Sequence, residues 1–255
     1  MSWTITPSFT QWTPALISTA FWLDAADANT ITTVSGGVSQ WDDKSGNGRH
    51  VSQATSANRP TVASAVLNGK NIIRFDPTGS PDRLATASAL YTTASFGIYA
   101  VTANRSASGE SAWAGQYLVA SAGRTLIYQN GVSTRSAAIS TGSNAVDFSG
   151  TPNTNFHLFG YDRNGTNAEL FYEAVSRSTT SSLANQITNT PFALGDMSDG
   201  GATIVAALDA AEVVCLTAPA STDIRQRIEG YLAHKWGLTA NLPSNHPYKV
   251  NPPAP

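Results

Sequence analysis

Apolar and polar positions alternate over short stretches through most of this chain, and one stretch alone keeps a helical period. In residues 221–237, STDIRQRIEGYLAHKWG, Ile224, Ile228, Tyr231 and Leu232 recur at helical spacing as one apolar stripe, with Gln226, Arg227 and Glu229 outside it. The ends are marked as well. Ser221 or Thr222 can cap the first amides, Asp223 suits the positive end of the helix dipole, His234 and Lys235 suit the negative end, and Gly237 can take the left-handed cap conformation. A single amphipathic helix cannot bury its own stripe, so the pattern predicts that it lies on a sheet built from the rest of the chain.

Strand signals fill the remainder. Residues 21–26 (FWLDAA), 38–41, 71–76, 97–103 and 192–194 read as strands, and the apolar run 203–216 reads as one buried strand with a bend near Asp209, ended by Pro219. Asn130-Gly131 and Asn164-Gly165 each sit between two strand-like runs. Asn-Gly takes the positive dihedrals of a type I′ turn readily, so two hairpins are predicted, the second joining residues 156–163 to 167–175. Residues 140–155 read as a loop. The sum is an all-β fold, a two-sheet antiparallel sandwich or jelly roll with one C-terminal helix packed on it. Residues 1–18 are expected to form an extended arm, 19–240 the domain and 241–255 a proline-rich tail along its surface. Trp3, Phe9 and Trp12 on the arm are costly to leave in water, and either anchor a partner or pad the outside of the domain.

Composition narrows the partners. Charged residues make up 13% of the 255, about half the usual share, so the polar surface must come from Ser, Thr, Asn, Gln and Gly. A net charge of −2 without a basic cluster argues against nucleic acid. The longest apolar runs, 204–208 and 213–216, fall far short of the ~20 residues that a membrane helix needs, so no membrane insertion is expected. The first residues lack both a basic start and a continuous apolar core, which predicts synthesis in a host cytoplasm without a signal peptide. Cys215 stands alone and reads as a buried strand thiol.

Three sets of residues are candidates for chemistry. In DDKSGNG, Asp43, Ser45, Asn47 and Gly48 occupy the first, third, fifth and sixth positions of a calcium loop, but the twelfth would be Ala54, and a hydrogen-bonded turn is the alternative. Trp113 and Tyr117 in SAWAGQY, with Asp196 and Asp199 in GDMSDGG, offer aromatic faces and acceptors for a glycan. Glycoside hydrolysis needs two carboxylates held about 5–10 Å apart. The nearest sequence approximations are Glu169 with Glu173, and Asp209 with Glu212. The four histidines show no zinc or triad spacing.

The segments FWLDAADANTITT, VSQWDDKSGNGR, NRPT, LNGKNIIRFD and ALGD, and above all EVVCLTAPASTDIRQRIEGYLAHKWGLTANLPSNHPY, resemble the LamG-like domains of the concanavalin A-like lectin and glucanase superfamily. Such domains occur in bacterial surface proteins and bacteriophage virion proteins, and the similarity covers residues 21–248. The resemblance implies two facing antiparallel sheets of jelly-roll topology, glycan or protein binding at loop edges or on the concave sheet, and often a structural calcium ion. Retaining glucanases of the superfamily carry a Glu-x-Asp-x-x-Glu strand, which is absent here. The resulting expectation is no enzyme. It is a non-catalytic lectin-like virion protein, a surface-exposed head decoration or fibre component of a bacteriophage that binds host glycans. Its expected partners are other virion or capsid proteins, a bacterial-surface glycan and further copies of itself. A carbohydrate-binding module on the bacterial cell surface and a glycoside hydrolase are the alternatives.

Overall fold

A computed structural model of the chain describes residues 11–106, 111–118, 124–130, 133–140, 144–146, 153–185, 187–196 and 205–255. Among these residues, strands gather into two antiparallel sheets, one of eight strands and one of nine. The first sheet runs, edge to edge, Val175–Thr180, Asn167–Tyr172, His157–Asn164, Ser95–Asn104, Leu208–Leu216, Lys70–Phe75 and Thr61–Leu67. Thr19–Asp24 joins it beside the later residues of Leu208–Leu216, while the earlier residues of that strand pair with Lys70–Phe75. The second sheet places the short strands Arg83–Ala85 and Ala193–Gly195 at its middle, between Val51–Ser52 and Ser111–Gln116. The chain passes between the sheets repeatedly, as in the expected sandwich.

The central strand starts later than its apolar run suggests, at Leu208, and all nine of its residues are buried. Its bend near Asp209 takes the form of a register shift between Ala210 and Glu212. The main apolar cluster fills the space between the sheets and continues under the helix. Rings fix its geometry: Tyr91 stacks on Phe96 with centroids 4.0 Å apart, and Phe21 meets Phe192 edge-on at 5.7 Å. Cys215 lies in this core, where burial pushes its thiol up to about 12.

The helix forms at Thr222–Trp236 with the expected ends, Ser221 Oγ accepting from the Ile224 amide and Gly237 at φ 74°. It covers the outer face of the first sheet, burying Ile228, Leu232 and Trp236, with a polar cluster among them. Glu212, fully buried, accepts from the Trp22 and Trp236 indoles at 2.7 Å each, from the Tyr231 hydroxyl at 2.9 Å and from Lys235 at 2.7 Å. Lys235 also pairs with Asp24 at 2.6 Å. Burial pushes the Glu212 carboxyl up and the Lys235 ammonium pulls it back.

Both ends of the described chain close on this helix. Trp12 is 3% exposed and packs edge-on against Tyr231 at 6.0 Å, while its amide donates to the Pro253 carbonyl. Its indole is thereby taken up within this chain; Trp3 and Phe9 lie outside the described residues. In the tail, Tyr248 fills the space above Gly230, where an added Cβ would meet its Cβ at 2.5 Å. His246, also buried, stands 3.2 Å from Glu229. The Lys249 ammonium donates to the carbonyls of Thr239, Ala240 and Leu242 just beyond the helix. These contacts fasten the proline-rich segment to the helix.

Candidate functional site

The strand His157–Asn164 turns into Asn167–Tyr172 through Gly165 and Thr166, with Asn164 paired to Asn167. This is one residue later than a turn centred on Asn164-Gly165. Gly165 supplies the positive φ, 63°, while its amide donates to the Ala94 carbonyl and its own carbonyl accepts from Arg163 Nε. The register that follows sets Asp162 directly opposite Glu169, and Glu169 directly opposite Thr179 of the edge strand. Side chains directly opposite share a face, so Asp162, Glu169 and Thr179 form one row across three strands.

That row floors a groove on the outer face of the first sheet, beside the segment that leads into the helix. The cavity measures about 570 Å³, and its walls add Asn164, Asn167, Ser181 and Pro219. On the other side of Asp162 lies Gly97, where a Cβ would come within 2.6 Å of Asp162 Oδ1. Glycine at this strand position leaves the carboxylate its room. Asp162 Oδ2 accepts from the Tyr99 hydroxyl at 2.6 Å, and Oδ1 accepts from the Ala220 amide at 3.1 Å. Burial raises the Asp162 carboxyl to about 6; the Tyr99 and Ala220 hydrogen bonds and Arg225 oppose that rise, and the Glu169 charge adds to it. The Arg225 guanidinium itself is committed, both to the Glu229 carboxylate at 2.9 Å and to the Phe171 ring at 4.3 Å.

The residues singled out from the sequence lie elsewhere. Trp113 is 7% exposed and meets Phe159 edge-on at 5.4 Å, so it is a core residue, which corrects its expected role as a glycan platform. Tyr117 is half-buried with Arg124 5.5 Å from its ring centroid. Asp196 sits at the other end of a strand, its amide donating to the Asp82 carbonyl and its carbonyl accepting from Arg83. Asp199 lies outside the described residues. Among the described residues, Trp113, Tyr117 and Asp196 do not line one groove.

The calcium expectation for the Asp43 loop is also corrected. Asp43 Oδ1 accepts from the Trp22 and Ser45 amides at 2.9 Å each, and Oδ2 accepts from Ser45 Oγ at 2.8 Å and the Arg49 amide at 3.0 Å. Asn47 turns its amide nitrogen to the carbonyls of Thr19 and Ala20. The carboxylate is saturated by protein donors, and Asn47 presents a donor where a cation needs an oxygen, so these residues do not fit the ion. They form a hydrogen-bonded turn. Among the described residues no group of three or more His, Cys, Asp or Glu could hold a metal.

The acid pairs named from the sequence separate as well. Glu173 leaves the strand at a turn with φ 52° and pairs with His157 at 2.6 Å, away from Glu169. Asp209 is held by Arg74 and Arg105, and Glu212 lies under the helix. The pair that forms is Asp162 with Glu169. A turn centred on Asn164-Gly165 would set Asp162 opposite Asn167, so the pair depends on the observed register.

No family model and no curated protein matches the chain. Its fold does match solved structures. Domain 4 of AbnA, a GH43 extracellular arabinanase from Geobacillus stearothermophilus in complex with arabinotriose, is similar at 10% identity and a TM-score of 0.53, over 83% of this chain and 98% of that domain. The Trypanosoma rangeli sialidase bound to the inhibitor DANA is similar at 10% identity and a TM-score of 0.55, over 84% of this chain and 33% of the sialidase. An arabinofuranosidase complexed with arabinofuranosyl-alpha-1,2-xylobiose gives 14% identity and a TM-score of 0.55, over 87% of this chain and 59% of the enzyme. The chain therefore spans about a third of the sialidase and somewhat over half of the arabinofuranosidase. At these identities the likeness is one of fold. It nevertheless overturns the expectation of a non-catalytic bacteriophage virion protein, since the solved structures that share the sandwich are glycan-acting enzymes. The expectation of no enzyme falls with it. That reading rested on the absence of a Glu-x-Asp-x-x-Glu strand, and the fold brings Asp162 and Glu169 face to face without one.

Proposed function

We propose that this chain is a carbohydrate-active sandwich domain of the LamG-like, concanavalin A-like kind, and that the groove above Asp162 and Glu169 takes a saccharide. The groove carries this reading. Its volume, about 570 Å³, falls within the roughly 300–1,000 Å³ of small-molecule sites. Sugar hydroxyls both donate and accept, and the walls answer with acceptor-only carboxylates, two-way amides of Asn164 and Asn167, and the Thr179 and Ser181 hydroxyls. The fold shared with an arabinanase domain holding arabinotriose supports the same class of ligand. The test is titration calorimetry against a panel of oligosaccharides. The double variant Asn164→Ala/Asn167→Ala is expected to weaken the best binder at least tenfold with the melting temperature unchanged. A panel without a binder overturns the reading.

The carboxylate pair favours a second reading, glycoside hydrolysis in the same groove. Directly opposite residues of an antiparallel pair project their side chains from one face, and glycoside hydrolysis needs two carboxyls about 5–10 Å apart. Asp162, raised to about 6, has the character of the acid, and Glu169 that of the nucleophile. Release of reducing ends by the wild type, lost in Glu169→Gln, would establish it. No release from any bound oligosaccharide refutes it.

A further inference from the structure

The charge of the groove restricts what it can hold. Asp162 and Glu169 face each other in one cross-strand row, and the next residue of the row, Thr179, is neutral and exposed. Burial raises the Asp162 carboxyl to about 6, which leaves it largely ionised at pH 7. The Arg225 guanidinium, which acts on Asp162, is already held by both Glu229 oxygens and lies over the Phe171 ring. The floor of the groove thus sets two carboxylates opposite each other, and the Arg225 guanidinium that acts on Asp162 is shared with Glu229. Like charges directly opposite on adjacent strands destabilise each other. A ligand that brings a positive charge between them removes that cost, while a uronic or sialic acid adds to it.

We propose that the groove selects saccharides bearing a free amine, such as oligomers of glucosamine, over their N-acetylated, neutral or acidic counterparts. This rests on the reading of the groove as a saccharide site. The ammonium lies between the Glu169 and Asp162 carboxylates. Asn164, Asn167 and the edge-strand hydroxyls take the ring hydroxyls. An ammonium gives three donors and a carboxylate only accepts, so the recognition is charge-assisted on each side. The acetamide of an N-acetylated sugar has one N–H and no charge, and it leaves the carboxylate repulsion in place.

The test compares glucosamine tetramer, N-acetylglucosamine tetramer and arabinotriose by calorimetry at pH 7 and low salt, on the full chain. The amino tetramer is expected to bind at least tenfold more tightly than the acetylated one, and the gap should close as salt screens the charges. Glu169→Gln should abolish the gap with the melting temperature unchanged or raised. Should that variant fold poorly, Thr179→Lys on the exposed edge strand places a competing ammonium opposite Glu169 and should have the same effect. Equal or tighter binding of the acetylated tetramer overturns the selection for an amine while leaving the saccharide groove standing. A preference that survives both substitutions also overturns it. Failure of all three probes overturns the groove reading as well.

Discussion

Replacement of Glu212 by Gln is expected to loosen the helix from the sandwich more than any surface change. The carboxylate has only donors around it: two indoles at 2.7 Å, the Tyr231 hydroxyl at 2.9 Å and the Lys235 ammonium at 2.7 Å. A glutamine keeps one accepting oxygen. It turns an NH₂ towards donors on its other side, and one indole or the ammonium is left facing it without an acceptor. Hydrogen bonds to a charged group contribute about 1.5–3 kcal/mol each, and breaking a buried pair by removing one partner costs about 3–5 kcal/mol. Lys235 retains Asp24 at 2.6 Å, so the lower part of that range, about 3–4 kcal/mol, is expected. For a chain of this length that corresponds to a fall in melting temperature of roughly 6–16 °C. Urea unfolding followed by tryptophan fluorescence measures it directly, because Trp22 and Trp236 are two of the ligands. Arg227→Ala, which breaks the exposed pair with Asp223, is the control and should change stability by less than about 0.5 kcal/mol. A Glu212→Gln protein within about 1 kcal/mol of the wild type would refute the view that this buried carboxylate fastens the helix.

Other outcomes follow from the same geometry. Gly97→Ala pushes a Cβ into Asp162 Oδ1; it should lower stability by about 1–3 kcal/mol and weaken saccharide binding, and a variant normal in both respects contradicts the role given to this glycine. Trp113→Ala removes a buried ring and should cost about 3–5 kcal/mol while leaving the affinity of the folded protein unchanged, so selective loss of binding would restore Trp113 to the site. Stability should also depend on pH. Asp82 and Asp162 are both raised to about 6, chiefly by burial, so the folded chain keeps their protons while the unfolded chain releases them near 3.8, and their contribution declines as pH rises through 6. Asp27 and Asp76, lowered by hydrogen bonds from Lys44 and Thr78, act oppositely: their contribution is lost as pH falls below 3.8. Melting temperature is therefore expected to decline between pH 5 and 7, with a shallower decline in Asp82→Asn; an identical slope in that variant refutes the assignment.

The helix and the sandwich were legible in the sequence because both depend on local period. Ser221, Asp223 and Gly237 mark helix ends by chemistry that acts within one turn, and the structure places both caps there. The strands 70–75, 95–104 and 157–164 followed from apolar alternation and turn residues in the same way. The candidate site was not legible. Trp113 among small residues looks the same whether it faces a ligand or Phe159. Asp43 looks the same whether its oxygens meet a cation or the amides of Trp22, Ser45 and Arg49. Those partners come from other parts of the chain, and local spacing carries no record of them.

The sharpest case is the hairpin at Gly165. The sequence by itself determined that a turn falls there, since Gly165 readily takes a positive φ. Which two residues form the turn was decided by tertiary contacts, the Gly165 amide on Ala94 and the Arg163 side chain on the Gly165 carbonyl. A turn centred one residue earlier would pair Asp162 with Asn167, and the observed turn pairs it with Glu169. Strand identity is a property of alternation along one segment, which the sequence contains. Register is a property of two segments held by a third, and it set the two carboxylates opposite each other.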